Sequence, residues 1–445
     1  MGEETLPGRV RRSLADGTIR RVVVIGQGTA AVAGQALALA LGSFAAESPL
    51  EVTALPATEL SGFGLRSDLS DTLTVAISQS GTTTDTNRTV DLIRARGGSV
   101  IAIVNRRQSD LTDKADGVLY TSDGRDVEMS VASTKAFYSQ IAAGVLLAAA
   151  LADCVGATSD ERAASARQEV LAALTELPDL MVATLALREQ IADAARRFAP
   201  QRRYWAIVGN GPNRIAANEV RIKLSELCYK SIACDVTEDK KHIDLSSEPL
   251  ILVCAAGLTG STADDVAKEV GIYRAHRAAP IVVASENPER YPAALAFIRV
   301  PSTHPLLAFV LSAMVGHLFG YEAALAIDAL AVPLREARAV VERAVSRRAS
   351  SDQLRRLAEE FEPPAARFFN GLRAGSYDGH LEASTATRLA SLLRYATGVV
   401  PLGTYQVEWG KVGTPAVVID DLTRALTAAI DELTRPVDAI KHQAK

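Results

Sequence analysis

Arg21-Val-Val-Val-Ile-Gly26-Gln-Gly28 is an apolar run that breaks on a pair of glycines, and the chain writes it again as Trp205-Ala-Ile-Val-Gly209-Asn-Gly211, an offset of 183 residues between Gly26 and Gly209. A helical pattern follows each copy. Further pieces match in the same order: Leu73-Thr-Val-Ala-Ile-Ser78 with Leu250-Ile-Leu-Val-Cys254, and Ser99-Val-Ile-Ala-Ile-Val104 with Pro280-Ile-Val-Val-Ala284. A long apolar helix then closes each unit. Parallel strands cannot be joined by tight turns, so short β-rich runs separated by helical patterns predict parallel sheets with crossover helices. The fold class expected is α/β: two tandem flavodoxin-like domains, residues 20–157 and 200–332, a helical linker at 158–199, and a mainly helical C-terminal extension at 333–445.

Outward from the repeat, the bulk properties narrow the function. The 445 residues are 48% hydrophobic, enough for large buried cores, and the net charge of -4 gives no basic field that would draw nucleic acid or an anionic membrane. An anionic ligand must be held locally. Met1 to Arg21 carries charges of both signs and no secretory apolar core, so a cytoplasmic location is expected. The longest apolar run, Ile141 to Ala152, is shorter than the roughly 20 residues a bilayer span needs and reads as a buried helix. Cys154, Cys228, Cys234 and Cys254 form no CxxC pair, which predicts reduced structural thiols; no metal or cofactor is expected. Within the extension, the short run Pro415 to Ile419 precedes a last helix that Asp420 or Asp421 would cap.

Ser78-Gln79-Ser80-Gly81-Thr82-Thr83-Thr84-Asp85 stands directly between a buried strand and a helix. That is the carboxyl end of a parallel strand, where open α/β sheets bind ligands. First-turn N–H groups with the helix dipole behind them, joined by loop hydroxyls, suit a phosphate. The competing structural reading is a capping box between Thr82 and Asp85. The repeat of this loop, Ala255-Ala-Gly257-Leu-Thr259-Gly260-Ser261, lacks the dense serine pattern, so the phosphate pocket is expected in the first domain alone.

Ser78-Gln-Ser-Gly-Thr-Thr-Thr-Asp-Thr86 and Val131-Ala-Ser-Thr-Lys-Ala-Phe137 together resemble the isomerase half of the glucosamine-6-phosphate synthase family, whose motifs read SQSGETADT and VASTKAF. The resemblance covers residues 20 to about 340 and implies tandem sugar-isomerase (SIS) domains. It also implies that Ser78, Gln79, Ser80 and Thr83 hold a sugar phosphate, and that Val131, Ala132 and Ser133 line the sugar. Thr29 belongs to the first glycine turn, where Ala30 replaces the family's serine; Thr82 replaces the family's glutamate, and Glu128 keeps an acidic residue before Val131.

Glu219, Lys223 and Glu226 are spaced to share one helix face, a pattern that by itself is most simply a surface ion pair. The segment Ala217 to Tyr229 resembles the family's catalytic helix. That likeness implies Glu226 as the base moving a proton between C1 and C2, and Lys223 as the cation facing the enediolate. His242 corresponds to the ring-opening histidine, which the family supplies from a neighbouring subunit, so a homodimer is implied. His317, in an apolar helix, reads as a core residue.

Three departures follow. Lys241-His242-Ile243-Asp244 replaces the family's Lys-His-Gly-Pro, and Arg338 stands where the family has its imine-forming lysine, a role arginine cannot fill. Met1 is followed by Gly2 and not by a glutaminase cysteine, so no glutaminase domain is expected within the chain. Ammonia would then come free or from a separate glutaminase subunit, and Asp431 to Lys441 resembles the family's linker helix. The reading is an isomerase or aminotransferase-type unit acting on fructose 6-phosphate or glucosamine 6-phosphate. Another phosphosugar isomerase or deaminase, and a non-catalytic sugar-phosphate-binding protein, are the alternatives.

Overall fold

A computed structural model describes residues 1–123, 133–156, 161–346 and 351–434. The first unit runs α1 (Gly8–Ala15), β1 (Arg21–Gly26), α2 (Thr29–Phe44), β2 (Glu51–Pro56), α3 (Ala57–Glu59), β3 (Thr72–Ser78), α4 (Thr84–Arg94), β4 (Ser99–Val104), α5 (Asp110–Lys114), β5 (Gly117–Tyr120) and α6 (Lys135–Cys154). Helices α7 (Glu161–Leu185) and α8 (Arg188–Phe198) lead to the second: β6 (Trp205–Gly209), α9 (Asn213–Cys228), β7 (Ile232–Asp235), α10 (Thr237–Lys240), β8 (Leu250–Ala255), α11 (Gly260–Ala275), β9 (Ala279–Ala284), β10 (Ala296–Arg299) and the long α12 (Phe309–Ser346).

Both sheets have five parallel strands and one order, β2-β1-β3-β4-β5 in the first and β7-β6-β8-β9-β10 in the second. Register repeats as well: Val24 pairs with Val75, and its repeat Ile207 pairs with Leu252. Strands β3 and β8 are buried along their whole length, so β8 is apolar throughout and β3 departs from that only at Thr72, Thr74 and Ser78. The expected tandem α/β class is what the structure has.

Helices α2 and α6 cover one face of the first sheet, α9 and α12 the corresponding face of the second, and one core joins them through Leu37, Ile141, Val220 and Phe319. Where α2 meets α9, Asn218 Nδ2 donates to Gln35 Oε1 at 3.0 Å. Those residues are separated by the repeat offset itself, so each meets its own counterpart, as across a local twofold axis.

The buried-helix reading of Ile141–Ala152 holds although the helix is longer than the run, and the expected start of the last helix changes. The apolar run at Ile141–Ala152 belongs to a 20-residue helix, α6, long and apolar enough by length and composition to cross a bilayer, as α12 also is; most of the apolar stretch of each is buried against the rest of the chain. The last helix, α16 (Pro415–Leu433), begins five residues before Asp420. Thr414 caps it by accepting from Val417 N–H at 3.3 Å, and Pro415 sits at the first turn, where its missing N–H does no harm. The run Pro415–Ile419 is therefore helical. α12 continues without a break through Pro333, and with α13 (Ser351–Arg373), α14 (Ala383–Ala396), α15 (Tyr405–Trp409) and α16 it builds a separate core around Leu334, Phe368, Leu393, Tyr405 and Leu426.

Candidate active site

The loop between β3 and α4 is shaped by its own hydroxyls. Gly81 takes φ +67°, and a Cβ there would stand 2.0 Å from Ser109 Oγ, so the turn admits glycine alone. Its N–H donates to Ser78 Oγ at 3.0 Å, and Ser78 Oγ lies 3.2 Å from Thr83 Oγ1. Ser80 Oγ accepts from Thr82 N–H and Thr82 Oγ1 at 3.2 and 3.0 Å, while Asn87 Nδ2 ties down the carbonyls of Gly81 and Thr83. No capping box forms: Thr83 is the N-cap, and its side chain makes no cap bond. The start of α4 lacks the side-chain acceptor that an ordinary helix start uses, which suits it to an external anion.

This loop lines a cavity of about 260 Å³ through Ser78, Gln79, Ser80 and Thr83. Thr29 of the first glycine turn, Ser133, and Gln140 of α6 complete that side. The opposite side comes from the second unit, through Lys223 and Glu226 of α9. The charged helix face is thus no surface pair. Lys223 and Glu219 are 1% and 0% exposed, and only the Glu226 side chain, at 24%, reaches solvent. Lys223 Nζ donates to Glu226 Oε2 at 2.7 Å and lies 3.9 Å from Glu219 Oε1.

Other sequence-predicted residues lie elsewhere. His242 is exposed just beyond α10, its Nε2 3.6 Å from Glu238 Oε1, and it does not line the cavity. Beside it Lys241 bridges Glu238 and Glu269 at 2.6 and 3.1 Å, and the hydrogen bond to Glu238 holds its ammonium above the usual range. Arg338 sits on α12 with Nε 3.1 Å from Glu342 Oε1, half-buried and also outside the cavity. Glu128, Val131 and Ala132 lie outside the described residues, as does the tail beyond Thr434. Burial pushes the Cys228 thiol up to about 12 and Cys254 further still, consistent with inert structural thiols.

Sequence reasoning missed Gln140 and underread His317. Gln140 is a lone amide in an apolar helix, nearly fully buried, whose Oε1 has no partner among the described residues. His317 is buried as read, yet both ring nitrogens meet polar atoms: Nδ1 is 2.6 Å from Tyr138 OH and Nε2 is 3.3 Å from Glu219 Oε1.

Two sheets of one strand order, with a hydroxyl-rich loop of the first facing a charged helix of the second, define a tandem SIS-like α/β unit, and residues 18–150 match the SIS domain family. The chain is 32% identical over 341 residues to glutamine–fructose-6-phosphate aminotransferase (isomerizing) from Thermus thermophilus, covering 72% of this chain and 53% of that protein. It is 34% identical over 247 residues to the Mycolicibacterium smegmatis enzyme of that name, covering 54% and 38%. The C-terminal domain of glucosamine-fructose-6-phosphate aminotransferase from Francisella tularensis shares the fold, with a TM-score of 0.63 at 20% identity over 73% of this chain and 90% of that one. The SIS region of this chain is homologous to the C-terminal isomerase part of those aminotransferases, and the chain spans about half the length of the curated relatives it matches.

Proposed function

We propose that this chain binds a hexose 6-phosphate, fructose 6-phosphate or glucosamine 6-phosphate, and isomerises it by moving a proton between C1 and C2. The observation that carries the reading is the cavity itself, in which the Ser78–Thr83 loop faces Lys223 and Glu226. Its volume of about 260 Å³ falls just below the usual range of ligand pockets, which suits a monosaccharide phosphate better than a nucleotide sugar. The phosphate sits on the α4 N-terminus with Ser78, Gln79, Ser80 and Thr83 as donors. Glu226 takes the proton from C1 of the open-chain ketose and returns it to C2, and Lys223 faces the oxygen on which enediolate charge develops.

Val131, Ala132 and Ser133 would line the sugar, and Thr29 the glycine-turn side. His242, exposed and outside its own chain's cavity, would open the sugar ring in a second copy within a cytoplasmic homodimer. Arg338, charged and paired with Glu342, favours isomerisation over amination through an imine at that position. Any ammonia would come free or from a separate glutaminase subunit.

The test is exchange of the substrate's C1 hydrogen with deuterated solvent, which reports proton abstraction whether or not another step follows. Glu226→Gln keeps the shape but cannot take the proton, so exchange should fall by roughly 10² to 10⁴ while calorimetric affinity survives. Equal exchange in the two proteins would return Glu226 to a structural role.

A further inference from the structure

Behind the cavity runs a buried polar chain that the proton transfer does not itself use. Glu219 stands one turn before Lys223 on α9, wholly buried. Its Oε1 lies 3.3 Å from Thr29 Oγ1, 3.3 Å from His317 Nε2 and 3.9 Å from Lys223 Nζ, and its Oε2 has no hydrogen-bond partner among the described residues. His317 comes from α12 and places Nδ1 2.6 Å from Tyr138 OH of α6. The rings of Phe137 and Tyr138 meet the imidazole edge-on, with centroids 6.0 and 5.5 Å away, and fix its plane.

The hydrogen-bond roles follow from counting donors. Burial holds the Tyr138 phenol well above its usual range, so it remains an O–H donor. A neutral imidazole offers one donor and one acceptor. A carboxylate oxygen offers no proton, so the ring proton belongs on Nε2, aimed at Glu219 Oε1, which leaves Nδ1 to accept from the phenol. Lys223 meanwhile stands between two carboxylates, hydrogen-bonded to Glu226 at 2.7 Å and 3.9 Å from Glu219. A buried carboxylate short of donors draws in the nearest ammonium, because desolvation leaves its charge otherwise uncompensated.

We infer that His317 is a positioning residue: by donating Nε2–H to Glu219 it leaves Lys223 turned toward Glu226 and the cavity, where the substrate oxygen would lie. Tyr138 and Thr29 belong to the first unit, Glu219 and His317 to the second. Docking of the two halves and orientation of Lys223 are therefore one event. The inference rests on the proton transfer proposed above.

Two substitutions separate positioning from packing. His317→Leu keeps apolar bulk and removes both nitrogens; His317→Gln supplies an amide N–H toward Glu219 and a carbonyl toward Tyr138. With fructose 6-phosphate and the full chain, His317→Leu should lower kcat for C1 exchange at least about tenfold with KM within about threefold, and His317→Gln should regain most of the loss. Equal loss in both variants, or a loss confined to KM, would overturn the inference. Should the Leu variant fail to fold, Tyr138→Phe, which withdraws the donor to Nδ1, is expected to lower kcat in the same sense, and an unchanged kcat counts against the scheme. An independent reading comes from ¹⁵N-histidine spectra of the unmodified chain at about pH 8, above the ordinary imidazole range. The signal missing in His317→Gln should show the Nε2–H tautomer, and a Nδ1–H tautomer would overturn the inference regardless of activity. If the unmodified chain shows no exchange, it is the proposed function that fails, and the tautomer alone decides here.

Discussion

The two SIS-like units share a strand order and part company at two places, the loop after the central strand and the first crossover helix. After β3 the first unit has Ser78 to Thr83, hydroxyls bonded to one another around Gly81. After β8 the second has Ala255 to Gly260, where Gly257 packs under Pro305 and Ala308 and the Ala256 backbone is held by Asn213 and Ser312. The helices show the reverse. Helix α2 carries no charged residue, whereas at the positions that repeat Ala36, Ala40 and Ser43, helix α9 carries Glu219, Lys223 and Glu226. One copy has a loop rich in hydroxyls and the other a helix face of buried charge, and the local twofold brings the two to one cavity. Buried charges must be paired, so concentrating them in one helix limits the desolvation cost to a single cluster.

The sharpest way to break this comparison is to give α2 what α9 has. Ala40 is wholly buried and repeats Lys223, but no carboxylate stands at Ala36 or Ser43 to receive an ammonium. Ala40→Lys should therefore destabilise the chain by roughly 3 to 5 kcal/mol, the range of an uncompensated buried charge. Urea denaturation measures it. A loss under about 1 kcal/mol would show that pairing is not what separates the helices.

A smaller effect tests the loops. Ser80→Ala and Thr83→Ala should each weaken fructose 6-phosphate binding by roughly 1.5 to 3 kcal/mol in calorimetric titration, since each removes a hydrogen bond to a charged group. Thr259→Ala, at the matching helix start of the second unit, should leave affinity within about 0.5 kcal/mol. Comparable losses at both loops would mean that the second unit also holds the anion.

Much of this division was legible in the sequence, for a physical reason. Strand identity, the 183-residue offset and the contrast between the two loops are local properties, carried by runs of a few residues. The meaning of Glu219, Lys223 and Glu226 was not local. Helical spacing placed them on one face, but burial of that face depends on α2, α6 and α12, and the Tyr138–His317 contact joins residues 179 positions apart. The start of α16 was obscured by competing caps: aspartate at 420 or 421 is as good a cap in isolation as Thr414, and only the fold shows Asp421 buried against Tyr405 and Lys411.

That aspartate gives the smallest test, in the C-terminal helices, which have no counterpart in the repeat. Burial pushes the Asp421 carboxyl up, but the Lys411 ammonium at 2.8 Å and the Tyr405 hydroxyl at 2.7 Å together outweigh it, so the carboxyl titrates below its usual range. A carboxyl whose folded value is depressed contributes stability above its unfolded value near 3.9, and loses it as pH falls through the folded value. Asp421→Asn keeps the shape, removes the charge and leaves one acceptor oxygen for the Tyr405 hydroxyl and the Lys411 ammonium, so it should destabilise the C-terminal bundle by about 1 kcal/mol at neutral pH. Below about pH 4 the gap between variant and wild type should narrow. The chain has two tryptophans, Trp205 in β6 and Trp409 stacked on Tyr405 with ring centroids 5.7 Å apart. In a Trp205→Phe background, fluorescence during urea unfolding follows the bundle through Trp409. A pH-independent gap would mean that the charge of Asp421 contributes nothing and that its hydrogen bonds account for the loss. If the Trp409 transition shifts while a Trp409→Phe counterpart, read at Trp205, does not, the bundle unfolds apart from the paired units, and the division of labour argued for the two repeats extends to stability.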